Sequence, residues 1–125
     1  MTKIFLIDDQ PIANFIAKKL LEIEGFTENV QDFTNPVDAL RIVQEEKDTV
    51  LIFLDLHMPE MNGWQFLDEM QLQNSNHKII ILTSSTSELD LQKAKNYPCV
   101  VKYVTKPLNK QKFTELSEHL NLLQK

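Results

Sequence analysis

Four short apolar runs recur along the chain, Ile4 to Ile7, Val50 to Leu54, Ile79 to Leu82 and Val100 to Val104, separated by longer segments of mixed polarity. Their length, their β-branched content and the lack of strict alternation predict strands buried on both faces, as a parallel sheet requires. Glu28 to Phe33 is a weaker candidate, apolar only at Val30 and Phe33, and belongs at or near a sheet edge. Between these runs lie amphipathic segments with helical spacing. Ile12, Phe15, Ile16, Leu20 and Ile23 form a stripe in the first, and Val37, Leu40 and Val43 in the second. A third helix follows Gly63 through Phe66, Leu67 and Met70, and a fourth follows Ser87. The last carries Phe113, Leu116, Leu120 and Leu123.

Local signals mark the ends of these helices. Pro11 and Pro36 suit first-turn positions, Asn35 an N-cap and Gly25 a C-terminal stop. Ser87 and Asp90 have the spacing of a capping box, with Asp in place of Glu. The order is strand then helix, five times over. That predicts an α/β fold, a doubly wound five-stranded parallel sheet with helices on both faces and right-handed crossovers.

The 125 residues, 42% hydrophobic and 25% charged, fit one globular domain over 1–125. The segment beyond Lys106 suffices for a loop and one helix, so no output domain is expected. A net charge of −5 offers no general attraction to nucleic acid or anionic lipid. Cys99 is the single cysteine, which excludes an intrachain disulfide, and three scattered histidines make no zinc spacing. Only four apolar residues follow Met1-Thr2-Lys3, too few for a signal sequence, and no stretch approaches a membrane span. A soluble, cytoplasmic protein is expected.

The candidate chemistry stands just beyond each apolar run. Asp8 and Asp9 close the first, Asp55 the third, Thr83 and Ser84 the fourth, and Lys106 the fifth. In a doubly wound sheet the carboxyl ends of the strands meet along one edge, which gathers three carboxylates, a hydroxyl and an ammonium in one cleft. Taken singly, each has a plain reading: a turn or cap for the aspartates, a strand-end residue for Thr83, a solvated base for Lys106. Their coincidence at four strand ends is what points to a site. Crowded carboxylates repel unless a cation neutralises them, and oxygen donors without clustered His or Cys select Mg²⁺ or Mn²⁺. A metal, a lysine and a hydroxyl together can offset the charge of a phosphoryl group attacked by a carboxylate.

Four segments carry a family likeness: Ile4-Phe5-Leu6-Ile7-Asp8-Asp9; Ile52-Phe53-Leu54-Asp55-Leu56-His57-Met58-Pro59-Glu60-Met61-Asn62-Gly63; Ile81-Leu82-Thr83-Ser84; and Tyr103-Val104-Thr105-Lys106-Pro107. In this order they resemble the receiver domains of two-component response regulators, the CheY-like family. The resemblance implies a flavodoxin-like (βα)5 fold with strand order 2-1-3-4-5. It implies that Asp55 is the phosphoacceptor, that Asp9, Asp55 and the His57 carbonyl hold Mg²⁺, and that Asp8 acts through water. Lys106 would pair with a phosphoryl oxygen. Thr83 would swing towards the phosphate and draw Tyr103 inward, and Pro107 would follow a cis peptide bond.

The implied partners are a sensor histidine kinase or a histidine phosphotransfer protein, and a downstream protein reading the face of the fourth helix, fifth strand and last helix. The chain would be a monomer or a weak phosphorylation-dependent homodimer. It would modify itself and dephosphorylate itself without turning over a separate substrate. Two departures bear on this. His57 and Ser85 occupy positions that influence phosphoaspartate lifetime in the family, and neither is an acid or amide suited to orient a water. The stretch Lys95 to Val100 lacks the family's glycine, so the end of the fourth helix is expected to be irregular. Two alternatives remain: a pseudo-receiver that binds partners without phosphorylation, and a haloacid-dehalogenase-like phosphatase. The phosphatase family carries a second Asp where this chain has His57.

Overall fold

The structure is a computed structural model that describes residues 3–73 and 76–116. In chain order it contains β1 (Lys3–Ile7), α1 (Pro11–Ile23), β2 (Val30–Phe33), α2 (Pro36–Glu45), β3 (Val50–Leu54), α3 (Gly63–Leu72), β4 (Lys78–Thr83), α4 (Glu88–Ala94) and β5 (Val100–Thr105). Residues 110–116 are helical and are called α5. The strands form one parallel sheet in the order β2-β1-β3-β4-β5, with β2 at one edge as its weak apolar pattern predicts. Order and strand direction agree with the flavodoxin-like expectation.

Alternation along the central strands builds two core layers. Phe5, Ile7, Ile52, Leu54, Ile79 and Ile81 face one side, where Ala39 and Val43 of α2 and Phe66, Leu67 and Met70 of α3 cover them. Ile4, Leu6, Leu51, Phe53, Ile80 and Leu82 face the other, against Ala17 and Leu21 of α1 and Phe113 and Leu116 of α5. Leu120 and Leu123 lie outside the described residues. None of the helices is long and apolar enough to cross a membrane, among the described residues.

Helix α1 departs from the pattern. Its apolar stripe faces solvent: Ile12, Phe15, Ile16 and Ile23 are 63%, 55%, 41% and 67% exposed, and only Leu20 leans on the core. The buried positions are Asn14, Ala17 and Leu21. Asn14 decides the facing, because its side-chain amide donates to the carbonyls of Asp8 and Phe33, both at 3.1 Å, at the ends of β1 and β2. A polar anchor, a small alanine and Leu21 seat the helix on the sheet, and Ile12, Phe15, Ile16 and Ile23 are left outside. Val37 of α2 is likewise exposed.

The caps follow local chemistry. Asn35 accepts from the N–H groups of Val37 and Asp38, and Pro11 and Pro36 stand in the first turns. Asn62 and Gln65 form a reciprocal capping box at α3. At α4 the expected box forms on one side only. Ser87 accepts from Asp90 N–H, but the Asp90 carboxylate takes the Ser85 hydroxyl instead of returning to Ser87. After α4, the N–H groups of Asn96, Tyr97 and Val100 each reach the carbonyl three residues back, the irregular ending expected of a stretch without glycine.

Candidate functional site

Register brings the strand ends level. Ile7 pairs with Leu54 across β1 and β3, and Thr83 with Thr105 across β4 and β5, so Asp8, Asp55 and Lys106 emerge along one edge. Main-chain bonds continue the sheet beyond the strands: Asp55 N–H donates to Ile7 O at 3.0 Å, Asp8 N–H to Phe33 O at 3.1 Å, and Lys106 N–H to Thr83 O at 2.7 Å. Each side chain therefore leaves a backbone already fixed. Behind Asp55 the loop folds back tightly, with Gly63 N–H on Leu56 O at 3.0 Å and Glu60 in the left-handed region at φ +68°. A Cβ at Gly63 would stand 2.7 Å from the Asp55 carbonyl and 2.8 Å from Leu56 Cα. Glycine is required there by close approach of backbone.

Asp8 and Asp55 are buried and Asp9 is half-buried. Carboxylate oxygens of the three lie within 4.8 Å of one another. Lys106 Nζ sits 2.5 Å from Asp8 Oδ2 and 3.6 Å from Asp55 Oδ2, so one ammonium serves the group and favours Asp8. Asp8 Oδ1 also accepts from Gln10 N–H at 2.9 Å, while Asp55 Oδ1 has only a long bond from His57 N–H at 3.4 Å. Burial pushes the Asp55 carboxyl above its ordinary pKa, and the Asp8 and Asp9 charges add to that. Lys106 and the His57 N–H oppose the rise without cancelling it. A hard divalent cation would supply the missing countercharge, and the all-oxygen donor set fits Mg²⁺ or Mn²⁺. The His57 side chain is exposed and stands outside this group.

Thr83 is fully buried at the end of β4, and its Oγ1 accepts from Ser85 N–H at 3.2 Å. Tyr103 is half-buried against the α2–α3 core layer, with its hydroxyl donating to Ser85 O at 3.3 Å. The Lys106–Pro107 bond is cis, as the resemblance implied. Lys112 secures that turn, donating to Thr105 O at 2.6 Å and Pro107 O at 3.2 Å. The structure thus brings together Asp8, Asp9, Asp55 and Lys106, with Thr83 at the neighbouring strand end. Asn14 and Lys112 are supporting residues that the sequence pattern does not single out, and the contact of Ser85 with Asp90 joins two residues that it marks for other roles. An asparagine inside an apolar helical run is the one visible sign of the first.

The chain is matched by the family model for the response regulator receiver domain over residues 4–118. It is 30% identical over 121 residues to the transcriptional regulatory protein MalR of Bacillus subtilis, which covers 95% of this chain and 50% of MalR. The chain spans about half the length of that relative, or less of others such as CpxR of Klebsiella pneumoniae, where the share is 37%. Among solved structures it resembles a two-component response regulator from Cytophaga hutchinsonii, at 26% identity and a TM-score of 0.79, covering 97% of this chain and 98% of that one. It also resembles TrrA of Thermotoga maritima, solved with Mg²⁺ and beryllofluoride, at 29% identity, a TM-score of 0.74 and coverage of 98% and 99%. On sequence and fold together, the chain belongs to the response regulator receiver domain family.

Proposed function

We propose that the chain accepts one phosphoryl group on Asp55 from a phosphorylated histidine and signals through the resulting change of shape. The observation that carries this reading is the charge imbalance at the strand ends, where three carboxylates share one ammonium. An Asp55 oxygen attacks phosphorus as the bond from phosphorus to the histidine nitrogen breaks. The electron pair stays on the imidazole, and the acyl phosphate remains on Asp55. Mg²⁺ would be held by Asp9, Asp55 and the His57 carbonyl with Asp8 behind it, and would supply charge neutralisation to the phosphoryl oxygens. Lys106 moves from Asp8 towards a phosphoryl oxygen, and Thr83 donates its hydroxyl hydrogen to another.

The partners are a histidine kinase or phosphotransfer protein on the donor side and a protein target on the other. The exposed α1 stripe begins at Ile12, three residues after Asp9, and offers the donor an apolar contact beside the reacting carboxylate. Phe15→Ala should slow transfer from a phosphorylated histidine donor and leave labelling by acetyl phosphate unchanged; equal slowing of both would remove α1 from the docking role. The output face is the α4–β5–α5 side, where Leu91, Ala94, Val100 and Tyr103 line a groove with Lys95 and Lys102.

Acetyl phosphate with Mg²⁺ tests the acceptor role: the intact protein should gain a single phosphoryl group. Steady turnover of phosphomonoesters would favour a phosphatase, and absence of labelling would favour a pseudo-receiver. Against the phosphatase stands the exposed His57 where a second acid is needed. Self-modification makes this a switch, with autodephosphorylation as its reset.

A further inference from the structure

The loop between β4 and α4 contains a hydrogen-bond node that phosphoryl chemistry alone does not require. Every polar atom of Ser85 is engaged. Its N–H donates to Thr83 Oγ1 at 3.2 Å, and its carbonyl accepts from the Tyr103 hydroxyl at 3.3 Å. Its own hydroxyl donates to Asp90 Oδ2 at 2.6 Å and accepts from Ser87 N–H at 3.2 Å. One residue thereby links the buried hydroxyl at the site, the ring on β5 and the first turn of α4.

The bond to Asp90 is the short, charge-assisted one of the four and the strongest anchor of the set. It fixes the Ser85 rotamer, and a fixed Ser85 hydroxyl fixes the peptide on either side. The N–H then lies on Thr83 Oγ1 as a donor, which leaves the Thr83 hydrogen to be given elsewhere. The carbonyl holds Tyr103 by the same placement. Helix capping does not explain this use of Asp90, because the capping geometry would turn its carboxylate to Ser87 N–H.

We propose that Asp90 is a positioning residue that acts through Ser85 to preset the β4–α4 loop. Thr83 and Tyr103 then stand aligned before a phosphoryl group reaches Asp55. The inference rests on the reading of Asp55 as acceptor and adds how this chain prepares for it. Without the Asp90 bond the loop spreads over several arrangements, and apparent affinity for a phosphoryl group falls by the fraction that remains competent.

Beryllofluoride titrated onto the full chain at saturating Mg²⁺ measures that fraction. Asp90→Ala and Ser85→Ala should each bind it about tenfold more weakly, as expected if the competent fraction drops tenfold. Their Mg²⁺ affinity should be unchanged. Ser85→Thr, which keeps a hydroxyl, should restore wild-type binding. Ser87→Ala removes the α4 cap and spares the Ser85–Asp90 contact, so it should bind as wild type does. Wild-type affinity in Asp90→Ala and Ser85→Ala would overturn the proposal, as would an equal loss in Ser87→Ala or a parallel loss of Mg²⁺ affinity. Wild-type protein that binds no beryllofluoride, or binds it equally as Asp55→Asn, would sink the acceptor reading itself, and the positioning role with it.

Discussion

The two ends of the sheet treat buried polarity in opposite ways. At the amino ends of the strands, His77 Nδ1 accepts from Val50 N–H at 2.9 Å, and Lys3 bridges both carboxylate oxygens of Glu46 at 2.8 and 3.1 Å. His77, Lys3 and Glu46 each have their partner within the chain. At the carboxyl ends, Asp8 and Asp55 share Lys106 beside Asp9, and the Asp55 carboxyl is pushed upward by burial and by the neighbouring Asp8 and Asp9 charges. At one end the buried imidazole is satisfied from within the chain, and at the other the carboxylates outnumber the ammonium that faces them. The difference is a rule for reading such domains: a satisfied buried cluster speaks of stability, and an unbalanced one of function.

Removing charge from the unbalanced end should have the largest effect. Asp55→Asn should abolish labelling by acetyl phosphate, since an amide is nearly isosteric with the carboxylate but a poor nucleophile. The same variant should unfold at higher urea in metal-free buffer, because it relieves repulsion from Asp8 and Asp9. Labelling at the wild-type rate would contradict the acceptor assignment, and lower stability would contradict the account of repulsion. Next in size is the metal. At ~100 times its dissociation constant, Mg²⁺ should raise the unfolding free energy by ~2.7 kcal/mol, because it binds the folded acid group and not the unfolded chain. Asp9→Ala should lose most of that gain; an undiminished response would place the metal elsewhere.

How far the sequence reveals each end depends on the same contrast. The carboxyl end is legible because its residues come directly after apolar runs: Asp8 after Ile7, Asp55 after Leu54, Thr83 after Leu82. A strand of known direction then fixes which edge they share. The amino end is hardly legible. His77 looks like a loop residue before β4, and only the fold shows it buried between Val43 and Val50. Helix α1 misleads for a related reason. Periodicity finds an apolar stripe but cannot say whether it meets the sheet or a partner, and here the contact of Asn14 with two carbonyls reverses the facing. Tertiary hydrogen bonds between distant residues decide both cases, and they leave no periodic trace.

The smallest predicted effect is on acid stability, where the two ends should pull against each other. Burial lowers the His77 pKa below 6.5, with the Val43 carbonyl and Glu46 resisting the shift. Protonation would also set an N–H on Nδ1 against Val50 N–H, a donor facing a donor. Between 6.5 and the folded value the unfolded chain binds more protons, so this contribution is complete above 6.5 and is lost as pH falls through that window. The loss amounts to about 1.4 kcal/mol per unit of pKa difference. Asp55 has the opposite sign in metal-free buffer. Its folded pKa lies above 3.8, the folded chain holds the proton more tightly, and stability rises as pH falls through the folded value towards 3.8. Urea unfolding followed from pH ~7 down to ~3.5 separates the two, since that range spans the ordinary imidazole and the ordinary aspartate pKa. Asp55→Asn should keep the His77 loss and forfeit the compensating gain, giving the steeper decline. His77→Gln retains an acceptor for Val50 N–H and a donor for the Val43 carbonyl without a titrating ring, and should flatten the curve in the imidazole part of this range. If His77→Gln declines as wild type does, the amino end is closed by packing rather than by the imidazole, and the contrast between the two ends loses its electrostatic basis.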